Sequence, residues 1–184
     1  MGKNLLYIYG DPGTGKITTA RILQRRLGWR LFWLHDLDQV CAIVGRYPLP
    51  RLMDKISLAV LEAMMDDMED IIYVRPSRDL ETVSRVLDLA DQKGYSVYTV
   101  RLWADYETMV ERIASRERSE FRISSKPELA RYFQERLNTS HNLPELKGTF
   151  STVDMPAEEV ADIIQQLLFH ERATNGQPDN FVCA

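Results

Sequence analysis

The sequence predicts a three-layer α/β domain, a mostly parallel sheet of five strands with helices on both faces. Three observations predict it. Short apolar runs rich in β-branched and aromatic residues recur along the 184-residue chain, and amphipathic stretches of helical period separate them. Most of the runs are continuously apolar rather than alternating, which is how strands covered on both sides read.

The first run, LLYIY at 5–9, leads through a glycine-rich turn into a helical pattern over 15–27, which stops at Gly28, a residue suited to a left-handed C-terminal cap. RLFWL at 30–34 is the second strand. A helix over 37–44, the two prolines of RYPLPR at 46–51 and a helix over 51–68 form a helical insert after it. DIIYV at 70–74, a helix over 79–93 closed by Gly94, and YSVYTVRL at 95–102 continue the alternation. Helices over 105–118 and 128–138 bracket RERSEFRISSKP at 116–127, a charged excursion halted by Pro127. TFSTV at 149–153 is the last strand, and a helix over 157–170 follows Pro156. The expectation is one domain over 1–170, with ERATNGQPDNFVCA at 171–184 as a loose polar tail.

Composition narrows the function classes. Hydrophobic residues at 45% and charged residues at 27% suit a globular protein, and no apolar run approaches the roughly 20 residues that span a bilayer, so no membrane association is expected. The opening MGKNLLYIYGDPG lacks a leader-like cleavage pattern. Cys41 and Cys183 form neither a disulfide framework nor a metal-ligand spacing, so a reducing cytoplasm is the expected compartment. His35, His141 and His170 are too scattered for a metal site, and His35 reads as a structural histidine. A net charge of −4 argues against a general nucleic-acid binder. Trp33 and Trp103 are expected in the core at strand ends. Nothing in the sequence sets the oligomeric state.

Chemistry concentrates in GDPGTGK. Gly10, Asp11, Pro12, Gly13, Thr14, Gly15 and Lys16 match the phosphate-binding pattern of Gly, four residues, Gly and Lys, in the strand-to-helix context that pattern needs. Glycines let successive backbone N–H groups converge at the positive end of a helix, and the lysine reaches the outer phosphates. The plainer alternative is a tight glycine turn with a surface lysine. A dinucleotide-binding turn would need a third glycine where Thr18 stands. One position departs from the pattern: Ile17 occupies the place of the Ser or Thr that offers magnesium an oxygen. Weaker or reorganised magnesium binding is the expectation, with Thr18 as a substitute donor, and phosphate binding is expected to persist.

Other candidates cluster at strand ends, where open α/β sheets place ligands. WLHDLD puts Asp36 and Asp38 after the second strand, with helix capping as the alternative role for Asp36. VRPSRD puts Arg75, Ser77 and Arg78 after the third, and an acceptor carrying a carboxylate or phosphate suits Arg75, with Arg46 of the insert as a second possibility. Arg112 and Arg116 share a helix face at i and i+4, followed by Arg118 and Arg122; a solvated helix pairing them with Glu111, Glu117 and Glu120 is the alternative.

With this loop, helical insert and arginine-rich excursion, the chain resembles the P-loop small-molecule kinases, a group that includes shikimate kinase, gluconate kinase, nucleoside monophosphate kinases and chloramphenicol phosphotransferase. The likeness covers residues 4–168 as an order of elements, and GDPGTGK is its specific part. Some predicted kinases of this group read Lys-Leu-Thr where this chain has Lys16-Ile17-Thr18. The resemblance implies a P-loop NTPase fold, ATP and Mg2+ as cofactors, and phosphoryl transfer to a hydroxyl of a small-molecule acceptor. It implies a lid over 115–127 that carries Arg116 and Arg118 to the transferring phosphate, with Arg112 on the nucleotide. Asp36 would orient the acceptor or hold a magnesium water beside Thr18. Backbone around Asp154 to Pro156 resembles the turn beside the adenine base, although a proline-started helix explains the same letters. A non-catalytic nucleotide-binding module and a polynucleotide 5'-end kinase are the competing functions.

Overall fold

Strand β1 (Lys3–Gly10) lies at the centre of one five-stranded sheet, flanked by β3 (Asp70–Pro76) and β4 (Tyr95–Trp103), with β2 (Arg30–Trp33) and β5 (Gly148–Ser151) at the edges. The order is β2-β3-β1-β4-β5, and all four pairings are parallel. This computed structural model describes residues 3–33, 37, 50–67, 70–76, 80–115, 123, 125–136 and 147–174. Among them run six helices: α1 (Lys16–Leu27), α2 (Pro50–Asp67), α3 (Leu80–Gln92), α4 (Tyr106–Ala114), α5 (Lys126–Arg136) and α6 (Ala157–Thr174).

Strand parity decides which helix covers which face. Leu6 and Ile8 of β1, Ile72 and Val74 of β3, and Tyr98, Val100 and Leu102 of β4 project to one side, against Ala20, Ile22 and Leu23 of α1 and Val160, Ile164 and Leu168 of α6. Leu5, Tyr7 and Tyr9, with Ile71, Tyr73 and Tyr95, project to the other, against Leu61 and Met65 of α2 and Val83, Val86 and Leu89 of α3. Burial on both faces is why β1 reads as an unbroken apolar run. Each fully buried Leu or Ile contributes roughly 1.5–3 kcal/mol relative to exposure. A third cluster, built on Met109 and Ile113 of α4 and Leu129 of α5, joins those two helices.

The expected three-layer fold stands, with differences at element ends. Helix α4 begins where Asp105 caps it at the Thr108 N–H and ends at Ala114, short of the expected 118, with Ser115 as its C-cap donating to the Glu111 carbonyl. Helix α6 runs on to Thr174, into the expected tail. Trp33 packs against the α1/α6 cluster as expected, whereas Trp103 is 40% exposed. The reason is position: on its face of β4, the apolar cluster reaches only as far as Val97, and Trp103 is three steps further along that stripe, at the strand's end. No helix among the described residues is long and apolar enough to cross a membrane.

Candidate phosphate-binding site

The loop 10–15 springs from the carboxyl end of the central strand and ends at Gly15, whose φ of 77° makes it a left-handed N-cap for α1. Gly15 has no side chain to cap the helix, so the first N–H groups of α1 are not met by a capping side chain. Those donors and the helix dipole favour an anion at this end. Two other glycines are required by close approach. A Cβ on Gly10 would lie 2.1 Å from the Leu102 carbonyl oxygen, and one on Gly13 would lie 3.1 Å from the Met109 backbone.

Gly10→Ala is therefore expected to push β1 off β4 where the loop begins, costing about 1–3 kcal/mol as an overpacked site does. Thermal denaturation and titration with the non-hydrolysable analogue AMPPNP check it; unchanged stability with unchanged affinity would contradict the geometry.

Lys16 lies over the loop. Its Nζ donates to the Asp11 carbonyl at 2.6 Å and to Thr14 Oγ1 at 3.3 Å, while Thr14 Oγ1 donates to the same carbonyl at 2.8 Å. A polyphosphate offers that ammonium charged oxygens, which make stronger partners than a neutral carbonyl.

The loop is also held from outside. Arg112 of α4 donates to the Gly13 carbonyl at 3.4 Å, to Thr152 Oγ1 at 2.9 Å and to the Thr152 carbonyl. Thr152, just beyond β5, donates in turn toward the Thr14 carbonyl at 3.3 Å. Tyr132 of α5 donates its hydroxyl to Asp11 Oδ1 at 3.1 Å. Hydrogen bonding to the Thr108 N–H holds the Asp105 carboxyl, at the head of α4, below the usual carboxylate range.

All nine expected loop residues, Gly10, Asp11, Pro12, Gly13, Thr14, Gly15, Lys16, Ile17 and Thr18, thus lie together in the turn and the first turn of α1, and Arg112 joins them. Arg75 does not stand open at the rim. It is 1% exposed, and its guanidinium donates to Asp54 of α2, to Ser57 Oγ at 3.3 Å and to Tyr73 Oη at 3.2 Å. Burial, the largest influence, works against its charge, but Tyr73, Asp54 and Tyr7 together outweigh it and raise its pKa above the ordinary value. Asp154 and Pro156 are exposed, and Met155 packs partly against the α1/α6 cluster. Asp36, Arg46, Arg116 and Arg118, with His35, Asp38, Ser77, Arg78, Arg122 and His141, lie outside the described residues.

Sequence reasoning missed Tyr132 and Thr152. No local pattern marks either residue, because each acts on a loop more than a hundred positions away: Tyr132 121 from Asp11, Thr152 138 from Thr14.

The glycine cradle, the N-terminus of α1 without a capping side chain and Lys16 fit a nucleotide polyphosphate. The described residues do not fit a magnesium ion in the same way. Ile17 brings no oxygen, Thr18 is half-buried, and no cluster of three His, Cys, Asp or Glu side chains occurs among them.

Comparison with known proteins places the fold. No protein-family model matches the chain, and no curated protein sequence matches it. Solved structures do match. A gluconokinase from Sinorhizobium meliloti superposes with a TM-score of 0.67 at 15% identity, covering 96% of this chain and 98% of that one. A shikimate kinase from Aquifex aeolicus gives 0.56 at 18%, covering 92% and 98%. The Mycobacterium tuberculosis APS kinase CysC, in complex with AMPPNP and APS, gives 0.64 at 13%, covering 91% and 98%. The chain has the fold of the P-loop small-molecule kinases.

Proposed function

We propose that this chain transfers the γ-phosphoryl group of ATP to a hydroxyl of a small molecule. The observation that carries the reading is the cradle: three glycines at positive φ, a lysine folded over them, and a helix N-terminus without a capping side chain, at the carboxyl edge of a parallel sheet. Structural likeness across nearly the whole chain to kinases, one of them holding AMPPNP, supports it.

In this reading the loop amides and Lys16 hold the β- and γ-phosphates in line with the acceptor. The acceptor oxygen bonds to the γ-phosphorus as the bond to the β–γ bridging oxygen breaks, and ADP leaves with that electron pair. The hydroxyl proton passes to Asp36. Positioning and electrostatics supply most of the acceleration in such transfers. Arg116 and Arg118 would stabilise the charge that develops, and Arg112, fastened to Gly13 and Thr152, would keep the loop's outer wall in place. We assign the enzyme to the cytoplasm.

Ile17 favours a second reading, a nucleotide-binding module without turnover. An ADP-release assay across a panel of hydroxyl compounds separates the two. Acceptor-dependent release supports the kinase, and AMPPNP binding without any phosphorylated product supports the module. Restoring the oxygen with Ile17→Ser is expected to increase the tightening of AMPPNP by magnesium about fivefold, close to the ~1 kcal/mol of one polar contact. Calorimetry with and without the metal reads it; an identical magnesium effect in both proteins would mean position 17 is irrelevant to the ion.

A further inference from the structure

The sheet register lines up Arg75, Tyr9 and Arg101 across three neighbouring strands, since Tyr9 pairs with Arg75 on one side and with Arg101 on the other. Paired residues of a parallel sheet project to one face, here the face covered by α2 and α3. The next residue of β1 is Gly10, so the row runs directly beneath the phosphate loop. The two arginines are two strand spacings apart, about 10 Å.

Their surroundings differ. Asp54 balances the charge of Arg75, and Ser57 and Tyr73 take up its further donors. Arg101 is half-buried, its Nε is fully covered, and among the described residues no acceptor meets that nitrogen and no carboxylate pairs with the side chain. The Nε is closed to solvent, so an incoming anion meets the uncovered part of this half-buried guanidinium, for which no carboxylate among the described residues competes. On the same stripe of β4 the apolar cluster ends at Val97, and Thr99, Arg101 and the exposed Trp103 follow. The stripe thus turns from core to a cationic, aromatic surface as it reaches the phosphate loop. Helix α1 packs on the opposite face, so a polyphosphate on its N-terminus and an anion on Arg101 approach the sheet edge from different sides.

We infer that Arg101 binds an oxyanion, a carboxylate or a phosphate monoester, carried by the phosphoryl acceptor. The Arg75–Asp54 pair contributes no net charge to the row, so within the row Arg101 is the residue whose positive charge is left to meet an anionic group. This assignment to an acceptor rests on the kinase reading above, and the test keeps the two apart.

The full chain, labelled with 15N-arginine, is first titrated with AMPPNP, which tests nucleotide binding by itself. The Nε–H resonance of Arg101, identified by its loss in Arg101→Lys, is then followed as D-glycerate, glycerol 3-phosphate or neutral glycerol is added. A saturable shift with one of the anions, and at least about tenfold weaker binding of glycerol, is expected. Which anion binds identifies the group. Loss of the preference for that anion over glycerol in Arg101→Gln, read by calorimetry, ties it to this side chain. The inference is overturned if neither anion moves the resonance, or if glycerol moves it equally. If AMPPNP fails to bind while an anion still shifts Arg101, the kinase reading falls and the anion site stands.

Discussion

Lys16→Ala is expected to weaken AMPPNP binding by about 10- to 100-fold, the worth of a hydrogen bond to a charged group, and to lower turnover by roughly a further 10²–10³. The structure explains why one side chain matters so much. Backbone donors near the N-terminus of α1 are neutral, so Lys16 is the loop's only full positive charge, and its ammonium already lies against the Asp11 carbonyl at 2.6 Å. A bound polyphosphate gains this charge with little movement of a long side chain, which limits the entropy lost on binding. Its bonds to the Asp11 carbonyl and to Thr14 Oγ1 are within the loop, not in the core, so the substitution should change the melting temperature far less than it changes affinity. Calorimetry and thermal denaturation of the same preparation decide the matter. Undiminished affinity in a folded variant would remove the basis for assigning nucleotide to this loop.

The largest effect on stability is expected from Asp54→Ala. Arg75, with its side chain 2% exposed, would then be a buried charge without its carboxylate, and breaking such a pair from one side typically costs about 3–5 kcal/mol. In a domain of this size that lowers the melting temperature by roughly 6–20 °C. The reverse change, Arg75→Met, should cost less, because Asp54 is 20% exposed and reaches water. Combining the two should recover part of the loss, since neither charge is then stranded. A melting temperature for Asp54→Ala within a degree or two of the parent would mean that Arg75 finds other compensation.

These two cases also show what the sequence can reveal. The cradle was legible because its causes are local: a strand, glycines that permit positive φ, a lysine, and a helix whose end Gly28 closes by donating to the Gln24 carbonyl at 2.9 Å. The layered fold was legible because a strand buried on both faces must be apolar throughout. Helix α5 starts at Lys126, two residues before the expected 128, because the Glu128 carboxylate accepts from the Ser125 N–H at 3.2 Å, a capping spacing that the sequence reading passed over. The setting of Arg75 was not legible. Its partner Asp54 stands 21 residues earlier on a different element, and only the packing of α2 on β3 brings them together. Arg101 was hidden for a related reason, because strand register, not spacing along the chain, sets it in line with Tyr9 and Arg75. Trp103 looked like core because an aromatic residue at a strand end gives no clue to where its covering helix stops.

The bonds from Arg112 and Tyr132 give the phosphate loop a mechanical role. Helices α4 and α5, which are consecutive helices of the described residues, are each tethered to the loop, one at Gly13 and the other at Asp11. A ligand that tightens the loop pulls on both tethers together. A displacement of the loop is therefore carried to helices α4 and α5 at the same time.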